Sequence, residues 1–174
     1  MKKNQRKAAT LLIATTLLSS PTLADSDEWG NRSYMRSSSE YNQYREECGS
    51  CHIAYPPSLL GKISWGNMMR SLDNHFGDNA ELAPQEQKEL SAYLQQYGSS
   101  DRWYQFWRKG DSEIPLRITE SRPFVKEHDE IPRRFLDNPK IGSLSNCGSC
   151  HLNAADGSFN EDDVRIPGVG RWDD

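Results

Sequence analysis

Two copies of one pentapeptide constrain this chain more than anything else in it. They are Cys48-Gly49-Ser50-Cys51-His52 and Cys147-Gly148-Ser149-Cys150-His151, and together they consume all four cysteines. Cys-x-x-Cys-His is the attachment motif of c-type haem. The spacing has a chemical reason. Two thiols add to the two vinyl groups along one haem edge, and residues three apart on a helical turn face the same side. The imidazole that follows then reaches the iron. The pattern predicts two covalently bound haem c groups, on Cys48 and Cys51 and on Cys147 and Cys150, with His52 and His151 as proximal iron ligands. Disulfides are the ordinary reading of an even cysteine count in an exported chain, but they need no histidine. A thioredoxin-like pair sits at a strand-to-helix junction, and the residues before Cys48 do not read as a strand. A zinc site built from the four cysteines would need a very long loop and leave both histidines unexplained.

The start of the chain reads as a cleaved secretory signal over residues 1–24. Lys2, Lys3, Arg6 and Lys7 precede an apolar run, Ala8 to Leu18, and Thr22-Leu23-Ala24 closes it with a small residue. The run is too short to span a bilayer. The expected destination is the periplasm, with no stable membrane insertion. The chain has 21 basic and 25 acidic residues. Loss of the four basic residues of the leader leaves 17, and 17 − 25 gives a net charge of −8. That balance speaks against nucleic acid or an anionic membrane as partner and suits a protein with a basic docking patch. Only 35% of residues are hydrophobic, which is low for a globular domain. Two haems would add the apolar surface that such a core lacks.

Each iron has a second axial position for His, Met or an exogenous ligand. The chain holds four histidines, and two are spent in the motifs. His75 and His128 remain, so two irons meet two spare imidazoles. His75 follows His52 by 23 residues, and His128 precedes His151 by 23. The simplest pairing is local, His52 with His75 and His128 with His151; the count leaves crossed pairing open. Against His128 stands its setting among Lys126, Glu127, Asp129 and Glu130, a solvated stretch. Met68 and Met69 are the alternative ligands. Trp65, Met68, Met69, Leu72 and Phe76 follow a helical period, which makes both methionines core residues instead.

The order of elements is mainly α. Residues 25–39 are a polar, flexible lead-in. Residues 40–98 read as a compact helical haem domain. Tyr41, Tyr44 and Cys48 share one helix face. Pro56-Pro57 breaks the chain, Ser58 caps a segment carrying Trp65 to Phe76, and Gly77-Asp78-Asn79 ends it. Pro84 opens a further helix with Leu90, Tyr93, Leu94 and Tyr97 as its buried stripe and Gly98 as its C-cap. Residues 99–174 read as a smaller, largely irregular haem domain. Trp103, Tyr104, Phe106 and Trp107 form an aromatic cluster there. Pro115, Pro123, Pro132 and Pro139 rule out long helices. Asp156-Gly157-Ser158 reads as a turn, and the acidic stretch Asp156 to Asp163 does not fit the spacing of a calcium loop.

Three segments carry a resemblance: Glu47 to Pro57 around the first motif, Trp65-x-x-Met68-Met69 through His75-Phe76-Gly77, and Gly157-Ser158-Phe159 to Ile166-Pro167-Gly168. They resemble the small bacterial dihaem cytochrome c family often called DHC, over most of residues 40–172. The resemblance implies two bis-histidine haems, an N-terminal domain of cytochrome c type and a C-terminal domain with little regular structure. By position it implies His75 and His128 as distal ligands. It also implies electron donation to a soluble, oxygen-binding monohaem cytochrome c, with reduction by a membrane cytochrome b or another quinol-linked donor.

Bis-histidine ligation closes both irons and favours the low end of the cytochrome range. The expected function is therefore a low-potential electron relay and not an enzyme, with no catalytic residue. Two alternatives differ in class. One is the dihaem electron-transfer subunit of a periplasmic reductase such as nitrate reductase, for which the separation of the motifs is long. The other is a haem enzyme or gas sensor with one labile distal ligand, which reduced protein exposed to carbon monoxide would reveal.

Overall fold

The tyrosine spacing before Cys48 becomes a helix, α1, over Ser39–Cys48. The computed structural model describes residues 38–100 and 114–172, all of them within one compact unit, Asn31–Asp174. The leader, most of the lead-in and the Trp103 to Trp107 cluster lie outside the described residues. Ser38 starts α1 by accepting the Tyr41 amide at 3.1 Å, which satisfies one free donor of the first turn. Tyr44 faces the core, with Tyr41 and Cys48 packed beside it.

After a 3-10 turn at Pro57–Leu59, helix α2 runs over Lys62–Met69. It starts later and ends earlier than the helical period predicts. Ser58 lies in the preceding 3-10 turn, and Gly61 is the residue before the helix, its carbonyl accepting the Trp65 amide at 3.0 Å. The end is set by Ser71. Its hydroxyl donates back to the carbonyls of Asn67 and Met68 at 3.2 and 3.3 Å, the kind of local bond that competes with helix continuation. The chain tightens into a 3-10 turn over Leu72–Asn74. Leu72 stays buried, but Phe76 is 43% exposed and does not join the stripe that its spacing suggests.

Helix α3, Pro84–Tyr97, opens on proline as expected. Ala83 offers no side-chain cap, and Glu86 reaches back to the Ala83 amide at 3.2 Å instead. Leu90, Tyr93 and Leu94 point inward and complete a core with Tyr44, Leu60, Trp65, Met69 and Leu72. Gly98 ends α3 in an extended conformation, φ −63° and ψ 153°, so left-handed freedom is not what it supplies. Its use is close approach. A Cβ there would lie 2.7 Å from the Leu94 carbonyl oxygen and 3.0 Å from Cδ1 of Trp65. Gly98→Ala should therefore lower unfolding stability by about 1–3 kcal/mol, as overpacking does. Chemical denaturation of the holoprotein measures this, and a wild-type midpoint would contradict the contact.

The second half has short elements. Among its described residues are one helix, α4 over Arg122–His128, several 3-10 turns, and an antiparallel hairpin, β1 (Arg165–Ile166) with β2 (Gly170–Arg171). The expected turn at Gly157 is present, with φ 70°. Proline does not forbid α4. Pro123 sits in its first turn, where no amide partner is lost, and the buried Ser121 caps it by accepting the Phe124 amide at 3.3 Å. Ile141, Ala154 and Ile166 are the buried apolar residues described here. That core is too thin to order this much chain by its own burial.

Candidate haem sites

The fold places each motif on a helical turn. Cys48 closes α1, and its second cysteine and His52 follow in an exposed turn. Cys147–Ser149 is itself a 3-10 turn, with the His151 amide donating to the Cys147 carbonyl at 2.8 Å. All four thiols are free. Burial, with Glu47 adding to it, pushes the Cys48 thiol up to about 11. Burial also raises Cys147. A redox dithiol needs the opposite, a depressed pKa. No group of three or more metal-binding side chains gathers among the described residues, so the four cysteines do not converge as a zinc site requires.

The four imidazoles do converge, in two local pairs. The rings of His52 and His75 lie 6.2 Å apart between centres, their planes 27° from parallel. Those of His128 and His151 lie 6.1 Å apart at 58°. An imidazole nitrogen binds a metal at about 2 Å and sits about 1.1 Å from its ring centre, so two rings on opposite sides of one metal have centres about 6 Å apart. Both gaps thus fit one iron each. The tautomers also suit ligation. Nδ1 of His52 pairs with the Ile53 carbonyl at 2.7 Å, and Nδ1 of His128 with the Phe124 carbonyl at 2.8 Å. Each leaves Nε2 for a metal, the usual arrangement of a ligand fixed through its other nitrogen. Nδ1 of His151 is buried and finds no partner among the described residues. Burial first and His52 second lower the pKa of His75. Burial and then His128 do the same for His151. Both effects favour the neutral ring, which is the form that binds metal.

His128 is half-buried, whereas Lys126, Glu127, Asp129 and Glu130 are exposed. The solvated reading fits the neighbours and not the histidine. As the last residue of α4 it stacks on Phe124 at 3.9 Å and 10°, an i, i+4 contact on one helix face. Phe159 lies 5.1 Å from His151, and a bond from the Arg165 amide to the Cys150 carbonyl, 2.9 Å, ties the tail to the motif. Met69 is buried and Met68 packs against the core, where the helical period puts them.

Sequence reasoning does not single out Tyr55, Phe124 or Arg117. Phe124 has a signal, its spacing of four before His128. Tyr55 and Arg117 act across the chain and leave no local period. The Tyr55 ring lies 5.0 Å from that of His52, and its carbonyl accepts the Tyr44 hydroxyl at 2.6 Å. Its own hydroxyl makes a long 3.5 Å contact to the Ser145 carbonyl. Burial, then the nearby Cys147, raises its pKa. Arg117 belongs to the second half and lies over Phe76, beside His75.

A family model described as dihaem cytochrome c matches residues 44–159. Solved structures agree with it. A dihaem cytochrome c from Shewanella baltica OS155 is 46% identical, with a TM-score of 0.65 over 77% of this chain and 98% of that one. A dihaem cytochrome c from Rhodobacter sphaeroides is 36% identical, with a TM-score of 0.59 over 68% of this chain and 95% of that one. DHC purified from Rhodobacter sphaeroides is 37% identical, with a TM-score of 0.56 over 68% and 96%. No curated protein matches.

Proposed function

The chain belongs to the dihaem cytochrome c family, and from that premise we propose that it relays electrons at low potential in the periplasm, from a membrane-bound donor to a soluble redox partner. As a member it carries two haem c groups and serves electron transfer. In this reading Cys48 and Cys51 hold one haem, closed by His52 and His75. Cys147 and Cys150 hold the other, closed by His128 and His151. The observation that carries it is the two local pairs of imidazoles, 6.2 and 6.1 Å between ring centres.

Haem c supplies a one-electron iron couple whose potential depends on axial ligands, hydrogen bonds and burial. The chain's residues do the rest. His52 with His75 and His128 with His151 would hold the two irons and leave no position open to substrate. The Ile53 and Phe124 carbonyls fix the tautomers of His52 and His128. Both spare methionines are engaged in the core, which supports histidine ligation and hence low potential. The acidic balance supports transient, salt-sensitive docking to a basic patch. The resemblance to the DHC family implies a soluble, oxygen-binding monohaem cytochrome c as that partner and a membrane cytochrome b or another quinol-linked protein as the donor.

A spectroscopic redox titration with magnetic circular dichroism tests the reading. The expected result is two low-spin haems, each with two histidine ligands, and at most slow carbon monoxide binding by reduced protein at neutral pH. A His/Met signature, or ready carbon monoxide binding by a large fraction of either haem, overturns it.

A further inference from the structure

Phe76 is the one non-glycine residue with positive φ among those described, at 58°. For a bulky side chain that conformation is an outlier, and it persists only where the surroundings enforce it. Burial does not enforce it here, because the residue is 43% exposed. The turn contributes. The His75 amide donates to the Asp78 carbonyl at 2.7 Å, the Asp78 amide returns to His75 at 3.2 Å, and the Phe76 amide reaches the Asn74 carbonyl at 2.9 Å. These bonds fix backbone, not the ring. The ring has two close neighbours. His75 lies 4.8 Å away between ring centres, and the Arg117 guanidinium lies 4.0 Å from the ring centre. Arg117 is itself steadied by Glu120 at 3.7 Å and by Ile118, which packs against the core of the first half.

We infer that Arg117 is a positioning residue for His75: clamped over Phe76, it holds the strained residue that aims the His75 ring at the first iron. This rests on the reading of His75 as an axial ligand. The contact joins the two halves of the chain at the distal side of the first site. Phe76 thereby acquires a use that its failure to enter the core leaves open. A cation over an aromatic face contributes enough to shift the balance between bound and released ligand severalfold.

Carbon monoxide binding to the reduced holoprotein reads that balance, since the gas enters only when His75 leaves. His75→Ala serves as the reference, because its carbon monoxide spectrum marks the first haem. Arg117→Ala and Arg117→Gln should both raise the rate of carbon monoxide binding at that haem by about twofold to thirtyfold, while Arg117→Lys returns it to within about twofold of wild type. In a Phe76→Gly background, Arg117→Ala should add nothing. Wild-type rates in both Arg117→Ala and Arg117→Gln overturn the clamp. Equal loosening of both haems also overturns it, since that is general destabilisation. If His75→Ala still shows two bis-histidine haems and binds no carbon monoxide, the ligand reading itself fails, separately from the clamp.

Discussion

Replacing His128 by Met should raise the midpoint potential of one haem by on the order of 0.1 V, within the range of about 0.8 V that axial ligands span. The other haem should shift far less. His128 ends α4 with its ring opposite His151 and its Nδ1 engaged by the Phe124 carbonyl. A methionine keeps the helix, since it is a good helix former, and offers a thioether of similar reach. The neutral thioether favours the reduced iron more than imidazole does, so the sign is upward. A redox titration gives the shift, and magnetic circular dichroism should show one His/Met haem beside one bis-histidine haem. An unchanged titration removes His128 from the ligand set.

The largest stability loss is expected at Trp65→Ala. Trp65 is 5% exposed, and its Nε1 donates to the Pro57 carbonyl at 2.6 Å. It also lies against Gly98, where α3 ends. Emptying such a site costs about 3–5 kcal/mol in lost transfer energy and cavity. Loss of the hydrogen bond adds about 1 kcal/mol. Small domains have about 5–15 kcal/mol in all, so the variant should approach the limit of folding. Trp65→Phe keeps most of the ring and should lose far less. Denaturant titration of the two holoproteins compares them, and equal midpoints for Trp65→Ala and wild type would remove Trp65 from the core.

Much of this was legible because its signals are local. Tyr41, Tyr44 and Cys48 share a helix face through spacing alone, and so do Leu90, Tyr93 and Leu94. The two histidines left after the motifs stand at matched separations, and the chain brings each to its local partner ring. The end of α2 was not legible, because apolar period carries on past Ser71 while the serine hydroxyl bonds backward and stops the helix. Proline density argues only against long helices, and the seven-residue α4 is short, with Pro123 in a first turn that tolerates it. The roles of Tyr55 and Arg117 depend on partners remote in sequence, Ser145 lying 90 residues from Tyr55. Nothing in either residue's own neighbourhood announces such a contact.

Tyr55 has a consequence for how the titration is read. One phenol ring touches His52 while its hydroxyl reaches toward the segment that carries Cys147. Tyr55 thus links the surroundings of the two motifs, and a charge gained at one centre would be felt at the other. Their electrons then load as protons load onto a coupled pair of acids. The two measured waves would then be macroscopic properties of the molecule, each weighted toward one iron.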